Sequence, residues 1–194
     1  MEYAPDTALI VVDVQNDFAD PDGSLYVTGG EETIPFINAN IAAARDGGAL
    51  VVRTQDWHPE STPHFEKDGG IWPVHCVHDT WGAELHPDLA DVDGPIVQVG
   101  TASEDGYSGF TGRNLETGEE SPTALDQLLK DRGITKVAVV GLATDYCVLD
   151  TSVDAVRLGF GATLLADGTR PVNIDLGDGA RAIAEMVACG VTIE

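Results

Sequence analysis

The stretch Thr7-Ala8-Leu9-Ile10-Val11-Val12-Asp13-Val14 decides the fold. Its apolar side chains run on without the alternation that leaves one face wet, so it reads as a central strand covered on both faces. A second run of the same kind, Lys136-Val137-Ala138-Val139-Val140-Gly141, stands far downstream. Residues 49–54, 162–166 and 191–193 read as further strands. Amphipathic stretches separate them. One runs from near Thr33, with Pro35 in its first turn, to Gly47-Gly48, and another starts at Ser121-Pro122, lines up Leu125, Leu128 and Leu129, and stops at Gly133. Two more span about Thr144 to Leu158 and about Gly177 to Cys189. Strands alternating with glycine-stopped helices imply right-handed βαβ units. The expectation is a Rossmann-like α/β domain, a parallel sheet of about six strands with helices on both faces, spanning residues 1–194 as one unit. Ligands of such sheets bind beyond the carboxyl ends of the strands. That rule singles out Asp13, Asp56 and residues 143–147.

Composition narrows the function. The chain has 194 residues, 43% of them apolar, with 10 Lys+Arg against 33 Asp+Glu and a net charge of −23. Such a surface repels nucleic acid and anionic membranes, so neither is an expected partner. No basic leader opens the chain, and no apolar run nears the ~18 residues of a membrane span. Three cysteines, Cys76, Cys147 and Cys189, make an odd number and no disulfide framework. A reducing, cytoplasmic setting is expected. The acid excess fits either a surface adapted to high salt, where screening relieves self-repulsion, or an ordinary acidic protein.

Two long segments, residues 55–86 and 100–121, break the alternation, and loops of that length are often functional. All five histidines (58, 64, 75, 78 and 86) fall in the first segment. Asp56-Trp57-His58, His64 and His75 offer a carboxylate and imidazoles of the kind that hold a divalent transition metal, zinc by preference, with iron or manganese as alternatives. The plain alternative is a set of polar loop residues. His78 and His86 read as surface or capping residues. Cys147 falls in a helix's first turn, where free N–H groups and the dipole favour thiolate and could hold an oxyanion. Otherwise it is a small buried residue, the reading kept for Cys76 and for Cys189 as core filler. Asp13, at the end of a buried strand, is either a general base beside the thiol or the start of a turn.

The motifs resemble the nicotinamidase branch of the isochorismatase-like hydrolase superfamily. They are Asp13-Val14-Gln15-Asn16-Asp17-Phe18, Asp56-Trp57-His58, Trp72-Pro73-Val74-His75-Cys76, Tyr107-Ser108-Gly109-Phe110 and Gly141-Leu142-Ala143-Thr144-Asp145-Tyr146-Cys147, in that order. The resemblance implies hydrolysis of nicotinamide to nicotinate and ammonia, a step of NAD salvage. It makes Cys147 the nucleophile and Asp13 the base and proton shuttle. Asp56, His58 and His75 become metal ligands, with His64 a further one. The N–H groups of Ala143 and Cys147 become the oxyanion hole, with Leu142–Ala143 a cis peptide and Leu142 beside the substrate. Phe18, Trp72 and Tyr107 would enclose the pyridine ring. Members often assemble as dimers or larger, so a homo-oligomer is expected.

One position departs from the pattern. Val99, in Val97-Gln98-Val99-Gly100-Thr101, stands where the family carries a catalytic lysine. Without that cation, and with apolar surface in its place, Asp13 and Cys147 should both rise in pKa and leave a neutral thiol. One positioned charge is commonly worth on the order of 10²–10³ in rate. Lys67, three residues after His64, is the only nearby lysine that could substitute. A ligand-binding relative without turnover, or a hydrolase of another small amide, are the alternatives.

Overall fold

The computed structural model describes residues 1–101, 104–114 and 117–194. Strand β1 (Thr7–Val12) is followed by a single helical turn, α1 (Asn16–Ala19), then α2 (Ile34–Asp46) and β2 (Leu50–Asp56). A long segment leads to β3 (Ile96–Val99), and the short strands β4 (Glu104–Asp105), β5 (Thr111–Asn114) and β6 (Glu120–Pro122) come next. Then follow α3 (Leu125–Asp131), β7 (Lys136–Leu142), α4 (Cys147–Arg157), β8 (Gly161–Arg170), α5 (Asp178–Ala188) and β9 (Thr192–Ile193).

The main sheet has six strands in the order β3-β2-β1-β7-β8-β9, every adjacent pair parallel. β1 is buried along its whole length, and its side chains divide by parity. Leu9 and Val11 join Ile34, Ile37 and Ile41 of α2 in one core. Ala8, Ile10 and Val12 join Leu125 and Leu129 of α3, Val148 and Val153 of α4, and Met186 of α5 in the other. A continuous apolar strand is what a sheet covered on both faces requires. Each buried aliphatic side chain of this kind contributes ~1.5–3 kcal/mol.

Several boundaries differ from the sequence expectation. Ser121-Pro122 closes β6 rather than opening a helix, and α3 starts at Leu125. Residues 104–122 include a three-stranded antiparallel sheet, β4-β5-β6, where a loop was expected. That stretch also holds positions 102–103 and 115–116 outside the described residues, so the expected long loop 100–121 is seen only in part. Cys189, expected as core filler, is exposed, because it caps α5 at the surface. Cys76 is buried. Among the described residues no helix is long and apolar enough to cross a membrane.

The strand ends set the site. Since the sheet is parallel, Asp13 after β1, Asp56 and Val99 at the ends of β2 and β3, and Ala143 after β7 all emerge at one edge. Gly141 draws β7 against β1 there: its φ is +113°, and a Cβ on it would lie 2.0 Å from the Val12 carbonyl oxygen. Only glycine permits that approach.

Candidate active site

Asp13 leaves β1 in a left-handed conformation, φ 47°, a region that Asp tolerates better than most residues. Thr54 secures it twice. The Asp13 N–H donates to Thr54 Oγ1 at 3.2 Å, and the Thr54 hydroxyl donates to Asp13 Oδ1 at 2.5 Å. On its other side the Asp13 carboxylate hydrogen-bonds the Cys147 thiol. Burial first, and then the charge of Asp56, push the Asp13 carboxyl up to about 7, against the lowering pull of Thr54, Cys147 and His58.

Cys147 is the first residue of α4, as the helix signal implied. The helix terminus alone favours thiolate, but the neutral thiol expected with Val99 in place of a cation is what results: burial, then Asp13 and Asp56, raise the thiol well above its ordinary value. Desolvation and two facing carboxylates outweigh the helix terminus. The neighbouring Thr144, Tyr146 and Val148 N–H groups are satisfied by the carbonyls of Arg170 and Ala143. Among the described residues, nothing accepts from the N–H groups of Ala143 or Cys147. Leu142–Ala143 is cis.

Next to this pair lies a buried cluster. His58, His64 and His75 each offer a ring nitrogen within 4.8 Å of the others'. Asp56 joins them, Oδ1 at 2.9 Å from His58 Nε2 and Oδ2 at 3.2 Å from His75 Nε2. Burial works to raise Asp56, but His58 and His75 outweigh it and hold its carboxyl well below the usual range. His75 Nδ1 is hydrogen-bonded to the Pro73 carbonyl oxygen at 2.7 Å, so Nδ1 carries a proton and Nε2 is turned to the cluster, the usual outer-shell arrangement for a ligating imidazole. Three imidazoles and one carboxylate, enclosed and converging, fit a divalent transition metal. Gly100 packs against them: with φ +69°, a Cβ there would stand 2.7 Å from His58 Cε1 and 3.1 Å from Asp56 Oδ1.

Over the cluster opens a narrow cavity of about 40 Å³ walled by Phe18, Leu25, Trp72, Tyr107 and Tyr146. Trp72 Nε1–H donates to the Tyr107 hydroxyl at 2.9 Å, and the Tyr146 ring meets Trp72 and Tyr107 edge-on at 4.9 and 5.2 Å between centroids. Asp56, His58, His64, His75 and Ala143 reach its surface. Cys147 and Asp13 are not among the residues that line it. Leu142, expected beside the substrate, is packed in the core and does not line the cavity.

Val99 is buried, and its backbone pairs in register with Asp56. Thr54, two residues before Asp56, shares that face and holds Asp13, so a side chain at 99 stands on the same side of the sheet as both. Lys67 does not replace the missing cation. Its ammonium is turned to the Glu60 carbonyl at the surface. His86, expected at the surface or as a cap, is buried: it accepts the Asp88 N–H and faces Asp20 at 3.7 Å. His78 is at the surface beside Asp79. Sequence reading missed Thr54, Gln15, Gly100 and Tyr146. Thr54 alone carried a signal, as a polar residue two positions before Asp56 in a buried strand.

A parallel α/β sheet that gathers a cysteine–carboxylate pair, two open N–H groups and a histidine-rich cluster at one edge has the arrangement of a hydrolase, and the cluster fits a divalent metal. The chain matches the Isochorismatase domain over residues 7–194 and belongs to that family. It is 38% identical to a nicotinamidase of Escherichia coli strain K12, covering 97% of this chain and 94% of that protein. A pyrazinamidase of Pyrococcus horikoshii solved in complex with zinc superposes with TM-score 0.86 at 40% identity, covering 98% of this chain and 99% of that one. PnC1 from L. infantum, solved in complex with nicotinate, superposes with TM-score 0.91 at 36% identity, covering 100% and 95%.

Proposed function

We propose that this protein is an amidohydrolase that converts nicotinamide to nicotinate and ammonia by an acyl-thioester route, slowed by Val99. The observation that carries the reading is the Cys147 thiol hydrogen-bonded to Asp13 beside the open N–H groups of Ala143 and Cys147. Nicotinamidase relatives and a nicotinate-bound neighbour support the substrate.

In the proposed cycle Asp13 takes the thiol proton as Cys147 Sγ attacks the amide carbon. The N–H groups of Ala143 and Cys147 hold the developing oxyanion. The carbonyl re-forms, the C–N bond breaks, and Asp13 passes the proton to the departing nitrogen, releasing ammonia and leaving an S-acyl cysteine. Asp13 then takes a proton from water attacking the thioester. Collapse breaks the C–S bond, frees the acid and returns the proton to Cys147. Phe18, Trp72, Tyr107 and Tyr146 hold the ring between them. A divalent metal held by Asp56, His58, His64 and His75, with zinc the first choice, supplies Lewis acidity toward the pyridine nitrogen. Thr54 keeps Asp13 aimed with a neutral donor where a lysine would add charge.

The test is ammonia release from nicotinamide by zinc-loaded protein, by Cys147→Ala, Cys76→Ala and Val99→Lys. The expected pattern is slow turnover, none in Cys147→Ala, retained turnover in Cys76→Ala, and a gain of about 10²-fold in Val99→Lys. Equal activity in both alanine variants overturns the nucleophile. Silence from the parent and from Val99→Lys overturns the substrate.

A further inference from the structure

We propose that Gln15 is a positioning residue for the metal-type cluster, presenting the Asp56 carboxylate by clamping the Asp56 backbone; the inference rests on the metal-binding reading above. Gln15 is wholly buried, at 0% exposure. Its Oε1 accepts the Asp56 N–H at 2.8 Å, and its Nε2 donates to the Asp56 carbonyl at 2.7 Å and to the Ala83 carbonyl at 2.9 Å.

The register explains why a side chain does this. β1 pairs with β2 from Ala8 opposite Leu50 to Val11 opposite Arg53. β1 ends at Val12, and Asp13 turns away in the left-handed region. Asp56, three residues beyond Arg53, would therefore lose its strand neighbour on the β1 side, while β3 still covers the other through Val99. The Gln15 carboxamide stands in for the missing backbone, offering one acceptor to the Asp56 N–H and one donor to its carbonyl. Its second donor ties in the Ala83 segment.

The demand is chemically narrow. One acceptor and two donors, all used, at the end of a two-carbon stem describe glutamine alone. Glutamate matches the shape but turns a lone pair toward two carbonyls. Asparagine keeps the groups and falls one methylene short. Ligand distances tolerate roughly ±0.2 Å, and a small rotation of the Asp56 backbone moves its oxygens farther than that. Loss of an outer-shell partner typically costs about 10–100-fold in metal affinity.

The experiment compares zinc Kd, by competition with a chromophoric chelator, in the parent protein, Gln15→Glu and Gln15→Asn, alongside thermal melting of each metal-free protein. The expected result is a Kd weakened by about 10–100-fold in both variants while the metal-free proteins still melt cooperatively. Where the buried charge keeps the Glu variant from folding, Gln15→Asn carries the test. A purely structural Gln15 predicts lower melting with zinc Kd within threefold of the parent, and that result overturns the proposal. Absence of zinc binding by the parent overturns the metal reading and this inference with it. Zinc binding with the expected variant losses but no ammonia release from either the parent or Val99→Lys leaves this inference standing and overturns only the substrate.

Discussion

Replacing Gly100 with alanine tests whether the cluster depends on a backbone passing unusually close to it. The new Cβ would lie 2.7 Å from His58 Cε1, 2.8 Å from His58 Nδ1 and 3.1 Å from Asp56 Oδ1. Comfortable carbon contacts need about 3.5–4.0 Å, so ring or backbone must yield by about 0.8 Å. The ring has little freedom. It is buried and faces the rings of His64, Phe65 and His75 at 4.7, 5.3 and 5.2 Å between centroids. Alanine at φ +69° also adds about 1–2 kcal/mol of backbone strain. Strain and displacement together should destabilise the metal-free protein by about 2–3 kcal/mol. A shift of about 0.8 Å is several times the latitude of a metal–ligand distance, so zinc affinity should fall by at least about 10-fold. Urea titration of the metal-free protein and chelator competition measure the two quantities. Zinc affinity within threefold of the parent, with the protein folded, would refute the reasoning.

Three further outcomes follow from the same geometry. Because Asp13 titrates near 7 in the folded protein against 3.8 for a free carboxylate, the folded state holds that proton more tightly, and stability falls as pH rises through that window. Asp13→Asn removes the penalty, so metal-free Asp13→Asn should gain on the parent from about pH 4, reach a plateau near pH 7 at up to about 4 kcal/mol, and lose turnover; urea midpoints that track the parent across this range would contradict the assignment. Thr54→Val takes away the 2.5 Å hydrogen bond to Asp13 and should lower kcat for ammonia release by about 10–100-fold with KM nearly unchanged, since a hydrogen bond to a charged group contributes ~1.5–3 kcal/mol; an unaltered kcat would show that Thr54 is dispensable. With a net charge of −23, the melting temperature should rise from dilute buffer to molar KCl as screening relieves repulsion; a flat profile would count against a salt-adapted surface.

The fold was legible because burial on both faces writes itself as unbroken apolar runs, and β1 and β7 are such runs. The site's edge was legible too, since a parallel sheet puts Asp13, Asp56 and Ala143 at one end. What stayed hidden depends on partners rather than on pattern. Gln15 reads as one polar residue in a turn, and only the register of β1 against β2 shows which backbone lacks a neighbour. Gly100 reads as a turn glycine, and only the folded cluster shows that His58 fills the space a Cβ needs. A helix terminus is a local property and by itself favours thiolate, while the two carboxylates facing Cys147 arrive from β1 and β2 and, with burial, keep the thiol neutral, as the valine at 99 implied. Residues 104–122 hid their small sheet because strands this short have no room to develop a period.

The same contacts indicate what a site without its lysine can retain. The sheet order reverses between β1 and β7, so the proposed reacting pair is built from both sides of the switch point: Asp13 from β1, Cys147 from the helix after β7. A lysine at 99 would come from β3, two strands away, and would act on that pair by its charge. The proton path does not pass through it. Thiol to Asp13 is one hydrogen bond, held by Thr54 from β2, and in its resting form the thiol keeps its proton. Because burial and Asp56 raise the Asp13 carboxyl, Asp13 is a stronger base toward the thiol than an ordinary carboxylate and, once protonated, a donor to the leaving nitrogen. On the proposed mechanism, valine at 99 would remove electrostatic help from the transition state and leave the relay in place, so the loss expected is one of rate and not of reaction.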